Sequence, residues 1–233
     1  MIYGISDLHL SFGVNKPMNV FGRVWENYEE KIKENWNNIV KESDIVIIAG
    51  DISWGTYLSE AKQDFKFIDE LPGKKIILRG NHDYYFDTVS KQRKFFEDNG
   101  FNNFDILHNN CIDLDEHILC GTRGWGESDN SNKDDEKIIR RELIRLEISL
   151  KEGKKLKDEY LSKGINKEII VAMHYPPFFD GFDKIMEEYN VKVCIYGHLH
   201  GFGHSKIKEG IINGIDYKMV SVDYTGFKPI RVI

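Results

Sequence analysis

The chain has 233 residues, which fits one large domain better than two, and we expect residues 1–233 to form a single domain. The formal net charge of −6 argues against broad electrostatic attraction to nucleic acid or to an anionic membrane, although a local basic groove stays open. No apolar run reaches the length of a membrane span, and the amino terminus leaves no room for a secretion signal. We therefore predict a cytoplasmic protein without membrane contact.

Five short apolar runs predict buried strands. They are rich in β-branched residues, and their continuous apolarity is typical of sheets that are covered on both faces. In chain order the runs are Ile2–Ser6, Ile45–Ala49, Lys75–Leu78, Glu168–Met173 and Val191–Tyr196.

Helical periodicity fills the gaps between the strands. Apolar stripes at helical spacing occupy 25–39 and 139–150, and Tyr57–Leu71 is a third predicted helix that ends before a Pro-Gly pair. Segment 133–160 carries charges of both signs, which indicates a solvated helix face.

Two hairpins complete the predicted elements. One turns at Asn213-Gly214, and the other is flanked by Cys111 and Cys120. These two cysteines and Cys194 form no Cys-x-x-Cys pair and are expected to be reduced thiols. Together the elements predict a layered α/β or α+β domain with helices outside the sheets.

Polar residues follow each predicted strand at its carboxyl end. In α/β sheets that edge is where ligands bind, so these residues are expected to converge in one cleft. In chain order they are Asp7 and His9, Asp51, the run Asn81-His82-Asp83, His174, and His198 with His200.

The chemistry of this set favours metal binding. Carboxylate, amide and imidazole donors without a thiolate suit manganese, iron or zinc, and also cobalt or nickel. Seven ligands are too many for one tetrahedral ion, but they match two ions that share a bridging carboxylate, for which Asp51 is the natural candidate. Paired divalent ions clamp phosphoryl oxygens and generate a hydroxide nucleophile.

The ordered set Asp7-x-His9, Gly50-Asp51, Gly80-Asn81-His82-Asp83, His174 and Gly197-His198-x-His200 resembles the calcineurin-like metallophosphoesterase family. The resemblance spans residues 7 to 200. It implies a two-sheet β sandwich flanked by helices, with a dinuclear metal centre on the strand-end loops.

The resemblance also implies a role for each matched residue. One metal would be bound by Asp7, His9, Asp51 and His200, and the other by Asp51, Asn81, His174 and His198. His82 would not be a ligand; it would contact the substrate phosphate and protonate the leaving oxygen. A positioned imidazole of this kind contributes about 10²–10⁴-fold to the rate.

One position departs from the family pattern. The family often has an acidic residue or Asn three positions after the bridging Asp, and Trp54 stands there in this chain. Asp83 or a backbone carbonyl is the alternative partner that would orient His82. The same stretch lacks the Asp-Arg pair of the Ser/Thr protein phosphatases, which weakens a protein-phosphatase interpretation.

Three further residues are candidates for substrate contact. His204 lies four residues beyond His200 on a glycine-containing loop, Arg123 lies between glycines on a loop, and Tyr175 follows a predicted ligand. An arginine in such a loop binds phosphate with two hydrogen bonds, and a surface ion pair is the alternative for Arg123. Trp54 is expected to pack against the site.

The sequence therefore predicts a hydrolase that uses two divalent metal ions, with manganese favoured, to cleave a small-molecule phosphomonoester or phosphodiester. Two alternatives stay open. One is a catalytically silent metal-binding scaffold on the same fold, and the other is a metal-dependent nuclease, against which the acidic net charge counts.

Overall fold

The structure is a computed structural model that describes residues 1–126, 133–179 and 181–233. The strands are β1 (Ile2–Ile5), β2 (Ile45–Ile48), β3 (Lys74–Leu78), β4 (Phe104–Leu107), β5 (Cys111–Leu114), β6 (His117–Thr122), β7 (Glu168–Met173), β8 (Val191–Tyr196), β9 (Gly210–Ile212), β10 (Ile215–Met219) and β11 (Ile230–Arg231). The helices are α1 (Tyr28–Ile39), α2 (Leu58–Asp69), α3 (Val89–Asn99), α4 (Lys133–Leu161), α5 (Phe182–Glu188) and α6 (Val222–Thr225). Short 3₁₀ helices occupy Met18–Phe21, Arg23–Trp25 and Gly201–Lys206.

The strands form two mixed sheets. The first has the order β11-β1-β2-β3-β4, and the second has the order β5-β6-β7-β8-β10-β9. Strands β1 to β4 are parallel to one another, as are β6, β7, β8 and β10. The parallel strands of each sheet therefore deliver their carboxyl ends to a single edge.

The central strands of each sheet are buried on both faces, as the continuous apolar runs predict. In β2, Val46 and Ile48 face a core shared with helices α1 to α3, while Ile47 faces the space between the sheets, where it joins the same core as Ile170 of β7. On the outer face of the second sheet, Leu146 of α4 packs in a third core. The result is a helix–sheet–sheet–helix sandwich, and the predicted fold class is confirmed.

The two sheets are tied together at the carboxyl ends of β1 and β10. Ser6 forms a parallel bridge with Ser221: the Ser6 amide donates to the Val220 carbonyl at 2.8 Å, and the Val222 amide donates to the Ser6 carbonyl at 3.2 Å. This link brings the strand-end loops of both sheets to the same edge of the molecule.

Both predicted hairpins form. Cys111 lies directly opposite Cys120 in the β5–β6 pair, with both thiols free, and Asn213 and Gly214 turn the chain between β9 and β10 with positive φ angles of 50° and 86°. No helix in the described ranges is both long enough and apolar enough to cross a membrane.

Candidate metal centre

The loops of the site turn sharply where their functional side chains begin. Asp7, His9, Asp51 and His198 all have positive φ angles, of 60°, 46°, 53° and 73°. Residues other than glycine rarely adopt this left-handed conformation, because it is strained. Such residues cluster at functional sites, where the surrounding structure holds them in place.

A first group of donors lies between the end of β1 and the end of β8. The Nε2 atom of His200 is 3.1 Å from Oδ1 of Asp7 and 3.4 Å from Nε2 of His9. The donor atoms of these three residues all lie within 4.8 Å of one another. One cation can therefore be reached by all three.

A second group shares Asp7 and adds residues from β2, β3 and β7. The Nε2 atom of His174 lies 3.4 Å from Oδ2 of Asp51 and 2.7 Å from Oδ1 of Asn81. Asp7, Asp51 and His174 again place donor atoms within 4.8 Å of one another. Since Oδ2 of Asp51 also lies 3.8 Å from Nε2 of His9, Asp51 stands between the two groups.

His198 lies beside the second group. Its ring centroid is 5.2 Å from that of His174, and its backbone amide donates to Oδ2 of Asp7 at 3.0 Å. Among the described residues, neither of the groups with mutual distances within 4.8 Å includes a ring nitrogen of His198. The structure thus brings all seven predicted ligands to one place and leaves His198 at its margin.

Two glycines allow the loops to approach this closely. A Cβ atom on Gly80 would lie 2.1 Å from Oδ1 of Asp51, and one on Gly197 would lie 2.4 Å from Oδ2 of Asp7. No side chain fits at either position, so each carboxylate packs directly against the backbone of a glycine.

Hydrogen bonds orient two of the imidazoles. The Nδ1 atom of His174 lies 2.9 Å from the carbonyl oxygen of Ala49, and Nδ1 of His200 lies 2.9 Å from Oδ1 of Asp223. A proton on each Nδ1 leaves Nε2 as the atom that faces the carboxylates, which is how proteins fix the rings of metal-binding histidines.

Asp223 was not predicted from the sequence. It lies beyond the carboxyl end of β10, whose alternating apolar and polar residues lack the continuous apolarity of the five predicted runs.

Charges within the site stabilise one another strongly. Burial alone would raise the pKa of Asp51, but the charge and hydrogen bond of His174 outweigh it and hold this pKa at about 2. Burial alone would lower the pKa of His200, but the charge of Asp7 and the bond to Asp223 raise it to about 10. For the same reason Asp51 raises the pKa of His174 to about 9.

The remaining two histidines are neutral near pH 7. Burial lowers the pKa of His9 to about 4, against the attraction of Asp51 and Asp7. Burial and then the charge of His174 lower the pKa of His198 to about 3. Neutral imidazoles have a free lone pair, the form in which histidine binds metal.

The donor set fits divalent cations. Asp7 and Asp51 are almost fully buried, and within the described ranges their ion-pair partners are all histidines, with no lysine or arginine among them. Buried carboxylates require compensating charge, and a divalent ion supplies it without a proton.

Asp83 does not orient His82, so this alternative is wrong. Its carboxylate accepts hydrogen bonds from the backbone amides of Asp51, Ile52, Ser53 and Gly80, at 2.9, 2.8, 3.3 and 2.7 Å. Both oxygens are therefore occupied by the loops that follow β2 and β3.

His82 is held by its backbone and by packing. Its amide donates to Oδ1 of Asp51 at 2.8 Å, while its buried Nδ1 atom has no hydrogen-bond partner among the described residues. Its ring contacts Trp54 with centroids 4.7 Å apart, and Trp54 also stacks on His9 at 4.8 Å. Trp54 thus packs against the site, as predicted.

The candidate substrate residues occupy different surroundings. Tyr175 is buried and lies against His198 with ring centroids 4.1 Å apart. His204 places Nε2 3.3 Å from Oδ2 of Asp223. Arg123 lies 4.9 Å from the ring of Trp125 and 4.0 Å from the buried carboxylate of Glu142. It therefore has the acidic neighbour that the alternative to phosphate binding, an ion pair, requires.

Comparison with known proteins finds relatives of this chain. An uncharacterized protein of Methanocaldococcus jannaschii, MJ1445, is 33% identical over 111 residues, which is 46% of this chain and 58% of the relative. The chain thus spans less than two thirds of that relative's length.

Solved structures share the fold. The protein of unknown function AQ665 from Aquifex aeolicus superposes with a TM-score of 0.50 at 18% identity, covering 99% of this chain and 94% of that one. The protein TT1561 of Thermus thermophilus gives a TM-score of 0.53 at 12% identity, covering 85% and 81%.

The sequence profile of one protein family matches most of the chain. This match covers residues 1–202, which include every strand-end residue that the sequence predicts for the site. The chain therefore belongs to the calcineurin-like phosphoesterase family.

Proposed function

We propose that this protein is a dinuclear metal-dependent phosphoesterase that hydrolyses a small-molecule phosphate ester. The family implies metal-dependent hydrolysis of phosphoesters; the number of ions, the ligands and the substrate are our proposal. One observation carries it: strand ends from both sheets bring carboxylate and imidazole donors within 4.8 Å of one another.

The proposed ligand assignment is the one that the family resemblance implies, with Asp51 as the shared carboxylate. Asp7, His9, Asp51 and His200 would hold one ion, and Asp51, Asn81, His174 and His198 would hold the other. When bound, such a pair of ions polarises phosphoryl oxygens and lowers the pKa of water to about 7. Oxygen and nitrogen donors of this kind suit manganese, and also iron, zinc, cobalt or nickel.

The chain's own residues prepare the site for this chemistry. Ala49 and Asp223 fix the rings of His174 and His200, so no reorganisation is needed when a ligand arrives. The amide of His82 holds Asp51 by one oxygen and leaves the other directed towards His9 and His174.

His82 is the proposed proton donor to the leaving oxygen. Its ring lines the same cavity as His9 and His200, two ligands proposed for one ion, and it follows Asn81, a ligand proposed for the other. Burial lowers its pKa below the ordinary value of 6.5, so the ring is neutral in the free protein at pH 7. A phosphate anion bound beside the ring would raise that pKa and favour the protonated form.

Two variants test the assignment. Asp51→Asn should abolish hydrolysis of phosphate mono- and diesters and lower the bound metal, because it removes the shared carboxylate. His82→Ala should keep the metal and lose about 10²–10⁴-fold in kcat. His117→Ala, at the amino end of β6, is the matched control and should change neither.

The outcomes separate the proposal from its alternatives. Full metal content without turnover of any ester would identify a silent scaffold. Cleavage of single- or double-stranded DNA at low salt, with no activity on small esters, would identify a nuclease instead.

A further inference from the structure

We propose that the cleft beside the metal centre binds an aromatic group on the substrate, carried by the alcohol that the phosphate esterifies. This inference rests on the proposed function, because it places the phosphate of the same molecule at the metal centre.

A cavity of about 410 Å³ opens directly from the site. His9, His82 and His200 form its polar end, and the rest of its surface is largely apolar. Binding pockets for small molecules begin at about 300 Å³ and combine an apolar lining with a few polar groups that fix orientation. The cavity therefore has the size and composition of a substrate pocket.

Two separate segments build the apolar walls. Residues 18–25, in two 3₁₀ turns, contribute Phe21 and Trp25, and the 3₁₀ helix after His200 contributes Phe202. Phe202 is 100% exposed and Phe21 is 68% exposed. Two large rings in water at the mouth of one cavity, continuous with the metal centre, indicate a ligand that covers them.

The lining favours an aromatic ring over an alkyl chain. Of the apolar side chains that the structure describes in this lining, Phe21, Trp25, Trp54 and Phe202 are aromatic, and Met18 and Val24 are aliphatic. Ring faces and edges attract another ring beyond the contribution of buried area.

The charges in the lining indicate the charge of the ligand. No lysine or arginine is among the described lining residues. The one carboxylate among them, Asp223, already pairs with Nδ1 of His200 and accepts a hydrogen bond from the Gly201 amide. The ligand part in this cleft is therefore uncharged, and the phosphate is its anionic end.

The test compares esters of three alcohols: benzyl, cyclohexylmethyl and methyl, each as the phosphate monoester and as the methyl diester. These are all simple primary alcohols, so differences in kcat/KM report binding in the cleft. We expect benzyl esters to exceed methyl esters about tenfold or more, and cyclohexylmethyl esters about threefold.

Phe21→Ala and Phe202→Ala should each reduce the preference for benzyl over methyl esters about threefold or more. Both rings are exposed, so the fold should tolerate their loss. Ile211→Ala, which removes another exposed apolar side chain on β9, is the matched control and should leave the preference unchanged.

A binding measurement makes the test independent of turnover. Tryptophan fluorescence should report tighter binding of benzylphosphonate than of methylphosphonate, since Trp25 and Trp54 line the cleft. Such binding without hydrolysis of any ester would support the cleft and contradict the proposed function. Hydrolysis of all three esters at equal rates, or an equal preference for cyclohexylmethyl and benzyl groups, would overturn the inference.

Discussion

Asp83 organises the site without being a proposed ligand. It is buried and accepts four backbone hydrogen bonds that join the loop after β2 to the loop after β3. Burial, and then the charge of Asp51, raise its pKa to about 6, and the amide donors resist that rise. Its carboxylate thus fixes the loops that carry Asp51 and Asn81.

Asp83→Asn should lower the free energy of unfolding by about 2–4 kcal/mol, because an amide group cannot accept all four bonds and leaves buried donors unpaired. Urea denaturation measures this change. Asp98→Asn, which alters an exposed ion pair with Lys94 on α3, should change stability by less than about 0.5 kcal/mol. Equal effects of the two substitutions would contradict the role of Asp83.

Replacing Asp223 tests its role in metal binding. Asp223→Asn should weaken the affinity for Mn²⁺ about 10–100-fold, because the ring of His200 loses the charged partner of Nδ1. Isothermal titration calorimetry of metal-free protein measures this affinity. Asp216→Asn, on neighbouring β10, should bind Mn²⁺ as the unaltered protein does; unchanged affinity in Asp223→Asn would refute the orienting role.

The sequence predicted the proposed ligands of the site better than it predicted the residues that hydrogen-bond to them. Polar side chains that follow apolar strands led to all seven proposed ligands and to His82. The partner of His200 could not be found this way, since Asp223 is distinguished only by the atoms that it meets in three dimensions.

At the scale of elements, a buried carboxylate connects helix α2 to the sheet. Asp64 accepts hydrogen bonds from the Ser53 hydroxyl and, at 2.8 Å, from the Phe12 amide. Burial raises its pKa to about 6, although both hydrogen bonds lower it. The protonated form is thus favoured by folding, and this contribution to stability is complete below the ordinary pKa of 3.8 and lost as the pH rises through about 6.

Asp64→Asn should remove this dependence. Relative to the unaltered protein, the variant should gain about 2–3 kcal/mol in unfolding free energy between pH 4 and pH 7. Denaturant titrations at a series of pH values give this difference. Asp158 is exposed on α4, so the unfolding free energy of Asp158→Asn should depend on pH as that of the unaltered protein does. The same pH dependence in Asp64→Asn would contradict a role for the buried carboxylate.

Element prediction succeeded where burial leaves a strong pattern. All five apolar runs form strands, whereas β4, β11, α3, α5 and α6 were not predicted. Strand β4 is only four residues long and lies at the edge of its sheet, helix α3 is rich in charge, and helix α5 has seven residues. Trp25 continues the apolar stripe of α1, yet it lies in a 3₁₀ turn before the helix.

At the scale of the whole molecule, the proposed ligands come from both sheets. Asp7 and Asp51 follow strands of the first sheet, and His174 and His200 follow strands of the second. A bound ion would therefore connect the sheets at one edge, where the Ser6–Ser221 bridge already joins them. That residues 1–233 form a single domain stays a prediction.

Metal should consequently stabilise the fold. For each site that it fills, Mn²⁺ at about 100 times its Kd should add about 2.7 kcal/mol and raise Tm by roughly 5–10 °C. Thermal denaturation followed by circular dichroism measures the shift. The Tm of Asp51→Asn should rise little when Mn²⁺ is added. A rise equal to that of the unaltered protein would show that the metal binds elsewhere.

The most direct test of the central claim is a titration of metal-free protein with Mn²⁺, following hydrolysis of an aryl phosphate. We predict no turnover before the first addition, a rise that saturates at about two equivalents per chain, and complete loss on adding a chelator. Turnover in the metal-free protein, or saturation with metal without any turnover, would contradict a dinuclear phosphoesterase.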